Sequence, residues 1–299
     1  MNLSTLPDRR AAAAPEAAAI ADDSTDLNNT GFLDAVRRAA ATLRAAGVSS
    51  GDVVAIMLPN TAAFVVSLFA TWRVGATVTP VDPSLTGSEA ESQLTDTGAG
   101  VLITEQRPSF DATVHAVIPA DELTTAEPDV AEPARPRTDT LALLIYTNGT
   151  TGSVTVDHAN LHAMCSMAIE AFELTAADHS LLSLPLFHVS SIVVGTLSPL
   201  LAGGRVTVAF SPKTFFDRIE RSRATYISAV PTTYELLSDM PAQIRPNAAS
   251  VRFAICGAAP ADDELLTKFE RRYGIPVIDG CISEVPVRWT PSECSRRAS

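Results

Sequence analysis

The chain has 299 residues, 46% hydrophobic and 19% charged, which is enough apolar material for one large domain or two ordinary ones and too much for a disordered polypeptide. Its 34 acidic residues outnumber 22 basic ones, and the resulting net charge of −12 repels a phosphate backbone and argues against nucleic acid as a partner. Cys165, Cys256, Cys281 and Cys294 are scattered without CxxC spacing, so the sequence points to reduced thiols and a cytoplasmic protein, not to a disulfide framework or a zinc site.

In chain order, Arg9-Arg10 precede an alanine run that Pro15 and Glu16 interrupt, which suits a short surface helix better than an export signal. From 30 to 46 the apolar residues Phe32, Leu33, Val36, Ala40 and Leu43 recur at helical spacing, and Gly47 stops the helix. Residues 53–58 read as a buried strand ended by Pro59, 61–74 as a helix, and 76–79 as a strand before the Pro80/Pro83 turn. A helix at 88–97 and a strand at 101–104 repeat the order. The apolar runs 64–72 and 192–201 are too short, or too broken by Gly195 and Pro199, to span a bilayer.

Residues 124–138 carry Pro128, Pro133 and Pro136 among polar side chains and are expected to form an exposed linker. Alternation resumes with strands expected at 141–146, 180–184, 205–208, 225–228, 251–256 and 276–278. Helices are expected at 159–173, 190–201, 214–223, 232–240 and 262–272. Strands separated by helices require crossovers and a mostly parallel sheet, so the expected class is α/β. The expected organisation is a first α/β subdomain at 1–123, the linker at 124–138, a second, incomplete α/β subdomain at 139–284, and an aperiodic tail at 285–299.

The segment Tyr146-Thr147-Asn148-Gly149-Thr150-Thr151-Gly152-Ser153 leaves the apolar run 141–145 and is built almost wholly of small hydroxyl, amide and glycine residues. Such a loop can wrap phosphates through backbone N–H groups and Thr hydroxyls, and it can equally be a plain polar turn. It is neither a Walker loop, since no Gly-Lys-Ser/Thr follows, nor a GxGxxG turn. Gly257-Ala258-Ala259-Pro260 leaves the strand at 251–256 with small side chains over which a flat ring could lie, or makes a tight turn. His188 ends a strand after an apolar run, where a structural hydrogen bond is the ordinary role. His158 and His162 share a helix face, but no third ligand is in view and a metal site is not expected. Cys256, between apolar neighbours, reads as core.

The sequence resembles the adenylate-forming (AMP-binding) enzymes, in particular acyl-CoA synthetases. The resemblance is carried by Leu43-Arg44-Ala45-Ala46-Gly47-Val48, Gly51-Asp52-Val53-Val54-Ala55, Leu58-Pro59-Asn60, the Tyr146–Gly152 segment, His158-Ala159-Asn160-Leu161, Pro185-Leu186-Phe187-His188, Val230-Pro231-Thr232, Gly257-Ala258-Ala259-Pro260 and Ile278-Asp279-Gly280, all in order. It implies that Thr147, Asn148, Gly149, Thr150, Thr151 and Gly152 bind phosphate. It implies further that Gly257, Ala258, Ala259, Pro260, Asp279 and Gly280 bind adenine, that His188 and Val230 line the acyl and CoA side, and that Glu284 binds Mg²⁺. ATP or AMP, Mg²⁺ and CoA are the implied small molecules, with a carboxylate or fatty acid as substrate.

Three departures qualify that expectation. The family's loop is similar to Tyr-Thr-Ser-Gly-Thr-Thr-Gly-x-Pro-Lys-Gly, whereas here Val154 follows Ser153 directly and the Pro-Lys-Gly is missing, lysine included. Asp279-Gly280-Cys281-Ile282-Ser283-Glu284 is one residue short of Asp-Gly-Tyr-Gly-x-Thr-Glu and lacks the tyrosine that would stack on adenine. The family's later segments and C-terminal lid have no counterpart. The expectation is therefore an acyl-CoA synthetase-like chain with impaired catalysis, the alternative being a non-catalytic nucleotide- or acyl-binding remnant or a frameshifted product. An open sheet edge beyond residue 278 leads to an expectation of self-association.

Overall fold

Helices and strands follow one another through most of the computed structural model, which describes residues 3–110, 113–137, 139–146, 153–208, 215–241, 243, 247–257 and 261–279. The polypeptide divides into two compact units, Met1–Ile20 with Ser24–Met164, and Ala21–Asp23 with Cys165–Ser299. Two short strands, β1 (Ala18–Ala21) and β2 (Asp26–Asn28), lie near the start of the chain.

Unit 1 begins with a 3₁₀ turn, Leu3–Thr5, and helix α1 (Leu6–Ala13). Arg10 of the Arg9-Arg10 pair is buried and donates through Nε to Asn29 Oδ1 at 2.7 Å; burial pushes its pKa down to about 10. The helix expected at 30–46 is α2 (Asn29–Ala45), with Asn28 capping it by accepting from the Gly31 amide. It is followed by β3 (Val53–Met57), α3 (Ala62–Val74), β4 (Thr77–Pro80), α4 (Gly87–Thr97) and β5 (Val101–Thr104). Then come β6 (Ala116–Pro119), β7 (Leu141–Tyr146) and β8 (Ser153–Asp157). The sheet order is β6-β5-β3-β4-β7-β8, parallel throughout except for the antiparallel pair β7–β8. Every residue of α3 except Ala63 is buried, which explains its largely apolar composition. Its one cation, Arg73, is 1% exposed and is held by Asp8 at 2.7 Å and by the Ala131 carbonyl at 3.0 Å.

Residues 124–137 contain no helix or strand and none of them is buried, yet they are tied down at several points. Arg38 Nη1 donates to Ala126 O, Arg44 pairs with Asp129 at 2.8 Å, and Ser4 Oγ donates to Ala134 O at 2.7 Å.

Unit 2 takes up the second half of α5 (His158–Ala171), then β9 (His179–Leu182), a π-helix (Ser191–Leu197), α6 (Ser198–Leu201) and β10 (Arg205–Val208). It continues with α7 (Phe215–Ser222), β11 (Tyr226–Ala229), α8 (Pro231–Ser238), β12 (Phe253–Cys256), α9 (Asp263–Tyr273) and β13 (Val277–Asp279). Its strands run β13-β12-β11-β9-β10, every pairing parallel. One face of this sheet carries a core of Leu181, Ile227, Ala229, Ala254 and Cys256 against Phe215, Ile219, Tyr234, Leu237 and Phe269. No helix among the described residues is long and apolar enough to cross a membrane.

Two buried histidines make stability depend on pH. His179 has its Nδ1 2.9 Å from the Ser222 carbonyl, which can only accept, and its Nε2 2.7 Å from Thr207 Oγ1, so the neutral ring is fully satisfied. Burial, with Arg205 nearby, pushes its pKa down to about 4. His158, 7% exposed and edge-on to Trp72 at 5.7 Å between ring centroids, is pushed down to about 4 by burial as well. Each ring stays neutral in the fold while the unfolded chain takes up a proton below about pH 6.5. Stability is therefore full above pH 6.5 and falls as the pH drops toward 4, by on the order of 2 kcal/mol for each histidine. Urea midpoints that stay flat between pH 7 and 4.5 would contradict this.

Candidate functional site

In unit 1 the candidate phosphate loop joins the two antiparallel strands of the β7–β8 hairpin. Tyr146 pairs with Ser153, Ile145 with Val154 and Leu144 with Thr155, so the connection consists of residues 147–152 alone. The point at which Pro-Lys-Gly is missing, between Ser153 and Val154, therefore falls at the start of β8, and both residues are paired with β7. Thr147, Asn148, Gly149, Thr150, Thr151 and Gly152 themselves lie outside the described residues.

What surrounds that connection is well anchored. Trp72 on α3 donates through Nε1 to the Ala142 carbonyl of β7 at 3.0 Å, and Tyr146 Oη donates to Asp96 Oδ2 on α4 at 3.0 Å. Burial and the adjoining Asp96 carboxylate raise the Tyr146 pKa. On the far side, Asp157 Oδ1 accepts from the Asn160 amide at 2.6 Å and Oδ2 from Asn160 Nδ2 at 3.2 Å, which caps α5 where the His158-Ala159-Asn160-Leu161 motif begins. These contacts fix both roots of the hairpin and supply no cation to them.

In unit 2 the register brings the candidate residues to one edge. Ala229 of β11 aligns with Cys256 of β12, and Cys256 with Asp279 of β13, so Val230, Gly257 and Gly280 all follow directly from the carboxyl ends of neighbouring parallel strands. In open α/β sheets this is the edge at which ligands bind, because the loops and helix N-termini that follow the strands gather there. The edge is tightly bonded: Gly257 N donates to Ala229 O at 3.1 Å and Ser183 N to Ser228 O at 2.8 Å. Tyr234 Oη, fully buried, donates to Ile255 O at 2.7 Å, and burial raises its pKa well above the ordinary value. Gly257 is buried, Val230 half-buried as the N-cap of α8, and Asp279 exposed. Ala258, Ala259, Pro260, Gly280 and Glu284 lie outside the described residues.

His188 sits in the segment that leaves β9 at the same edge. Its ring packs against Phe187 at 4.6 Å, and its carbonyl accepts from the amides of Ser191 and Ile192 at 3.1 and 3.2 Å. Cys256 is fully buried, and burial together with Asp279 pushes its thiol up to about 12, so it is an inert core residue, as its neighbours in the sequence suggest. Among the described residues no group of three His, Cys, Asp or Glu side chains could hold a metal ion. Motif reading passed over Tyr226 and Tyr234 because a tyrosine in an apolar stretch looks like packing; only the carbonyl opposite each phenol reveals what it holds.

Comparison with known proteins shows the family. The model of the AMP-binding enzyme family matches residues 7–281. A feruloyl-CoA synthase from Amycolatopsis sp is 33% identical over 291 residues, covering 93% of this chain and 58% of that protein. An oxalate–CoA ligase from Arabidopsis thaliana is 29% identical over 92% of this chain and 57% of its own length. The solved o-succinylbenzoate coenzyme A synthetase from Bacillus subtilis, in complex with its acyl-adenylate intermediate, superposes with a TM-score of 0.82 at 29% identity, over 93% of this chain and 58% of that one. The chain therefore spans a little under three-fifths of the length of these relatives.

Proposed function

The chain belongs to the AMP-binding enzyme family, and from that premise we propose that it is an acyl-CoA synthetase-like protein that holds a nucleotide at the carboxyl edge of the unit 2 sheet and carries an impaired adenylation step. In the reaction of this class a carboxylate oxygen attacks the α-phosphorus of ATP, the bond to the bridging oxygen breaks, and pyrophosphate leaves. The thiolate of CoA then attacks the acyl carbon and AMP leaves. Small aromatic and dicarboxylic acids, of the kind named for the feruloyl and oxalate relatives, are the proposed substrate class.

The observation that carries the reading is the alignment of Ala229, Cys256 and Asp279 at the carboxyl ends of three neighbouring parallel strands. We assign Gly257 to Pro260 with Asp279 and Gly280 to the adenine, Thr147 to Gly152 to the phosphates, and His188 and Val230 to the acyl and CoA side. Magnesium is a different matter. Glu284 is its one proposed ligand, and the described residues offer no cluster to join it.

The second reading, a nucleotide binder without turnover, is favoured by the six-residue connection between Tyr146 and Ser153 and by the absence of lysine from it. Both readings require nucleotide binding. Calorimetry should detect AMP with a dissociation constant in the submillimolar to millimolar range, and the Asp279→Ala variant should weaken it; no heat of binding at 5-fold higher nucleotide concentration removes both.

A further inference from the structure

The unusual helix after His188 has a cause that can be read bond by bond. In the π-helix Ser191–Leu197 each carbonyl looks to the amide five residues on, and the Ser198 amide indeed donates to Val193 O. The next carbonyl, Val194 O, looks to position 199, which is proline and has no N–H. That carbonyl is inside the protein, where an unmade hydrogen bond is costly. The bond comes from outside the helix: Tyr226 Oη, on a strand of the sheet and fully buried, donates to Val194 O at 2.9 Å.

The helix is also pressed onto the sheet at the next residue. A Cβ at Gly195 would lie 2.4 Å from Leu182 Cδ1, so any larger residue there would have to displace the Leu182 side chain of β9. Thr196 Oγ1 and Ser198 Oγ donate back to Ser191 O and Val193 O at 3.0 and 2.8 Å, which adds bonds in the same register. At its N-terminal end the helix begins on the His188 carbonyl. A change of register would slide the main chain by one residue against that carbonyl, and π-helical turns recur at functional sites because they set such placements.

We infer that Tyr226, by bonding the carbonyl that Pro199 leaves without an amide, holds residues 191–197 in the π register and so acts as a positioning residue for His188. Pro199 withholds the amide from Val194 O, and Tyr226 replaces it from the sheet while fixing the helix in depth. The assignment of His188 to the acyl side rests on the proposed function; the register itself does not.

The experiment is a double-mutant cycle on the full chain, read by thermal unfolding and by the His188 imidazole signal in a ¹³C-histidine-labelled sample. Tyr226→Phe should lower the Tm by about 3–8 °C, from one buried carbonyl left unbonded, and should shift the His188 signal. Pro199→Ala supplies an amide at the required position, so Tyr226→Phe/Pro199→Ala should recover at least half of the Tm loss and return the His188 signal. Tyr234→Phe, which strips a buried phenol from a different carbonyl, should not be rescued by Pro199→Ala and should leave His188 unmoved. A double variant no more stable than Tyr226→Phe, one that fails to fold, or a His188 signal indifferent to Tyr226 overturns the inference. The same samples titrated with AMP and with benzoyl sulfamoyl adenosine separate it from the functional reading. If wild type binds neither, the nucleotide site is lost and the register result stands. If it binds both, Tyr226→Phe should weaken the acyl compound at least 3-fold more than AMP, and equal weakening of the two counts against the positioning role.

Discussion

Carboxylate-dependent exchange of pyrophosphate into ATP by this chain is expected to run at least about 100-fold below that of a relative with an intact loop. Adenylation separates two negatively charged fragments, and catalysis of such a step is mostly placement and charge stabilisation. Removing one preorganised donor to the developing charge costs about 10²–10³ in rate. Here the loop lysine is absent, and the charged partner of the nearest described residue, Tyr146, is the carboxylate of Asp96. Lys268, on α9, is engaged with Asp239 at 2.6 Å, and Lys213 lies outside the described residues.

Inserting Pro-Lys-Gly after Ser153 tests the cause. The insertion falls between Ser153 and Val154, the first two residues of β8, so it lengthens the connection at the cost of the Tyr146–Ser153 pair while β8 can keep its pairing from Val154 onward. The insertion should tighten Mg·ATP relative to AMP, since the lysine meets only the distal phosphates. Exchange should remain well below that of the relatives because the adenine-stacking tyrosine is still missing near Cys281. Full exchange by the unaltered chain would show that another group carries the charge, and full recovery on insertion would show that the tyrosine is dispensable.

Legibility from sequence followed the length of the pattern. The helix expected at 30–46 is Asn29–Ala45, because many residues obey one helical period, and the strand expected at 141–146 is Leu141–Tyr146, a continuous apolar run. β6, four residues with only Ile118 and Pro119 buried, offered too short a pattern to be read. The helix expected at 190–201 is real in extent, but its first part is π-helical, and the bond from Tyr226 to its Val194 carbonyl joins residues far apart in sequence that no local pattern links. Likewise Val230, Gly257 and Asp279 were recognised as separate motifs, whereas their common edge is a property of strand register. Register is fixed by pairing between distant segments, which a single sequence does not display.

The opposite edge of the same sheet yields the second large effect, on stability. Asp178, with a side chain 5% exposed, precedes β9 and gathers four donors. Oδ1 accepts from Thr225 Oγ1 at 2.7 Å and Arg252 Nη2 at 2.8 Å, and Oδ2 from the Thr175 amide and hydroxyl at 2.8 and 3.1 Å. Burial pushes this carboxyl up, but Thr225, Thr175 and Arg252 outweigh it and hold the pKa below its ordinary value. Its main-chain carbonyl accepts from the Arg205 amide, and a Cβ on Gly204 would lie 2.3 Å from that oxygen, so β9, β10 and β11 are all set from this point. Asp178→Ala strands these donors at once and should cost about 3 kcal/mol at pH 7, the lower end for breaking a buried pair, because Arg252 is half-exposed and can rehydrate. Asp178→Asn should fare little better, since its NH₂ would face groups that themselves donate. The penalty must shrink in acid: the carboxylate contributes fully above its unfolded pKa near 4, and that contribution is lost as the pH falls through the lower folded value. Urea unfolding of the alanine variant at pH 7 and pH 3 measures this, and a loss under about 1 kcal/mol at pH 7 contradicts the account. Because Asp178 stands at the amino ends of strands whose carboxyl ends carry Val230, Gly257 and Asp279, AMP affinity measured well below the melting temperature should be unchanged in the variant. A parallel change in affinity and stability would mean that the two edges of the sheet are coupled.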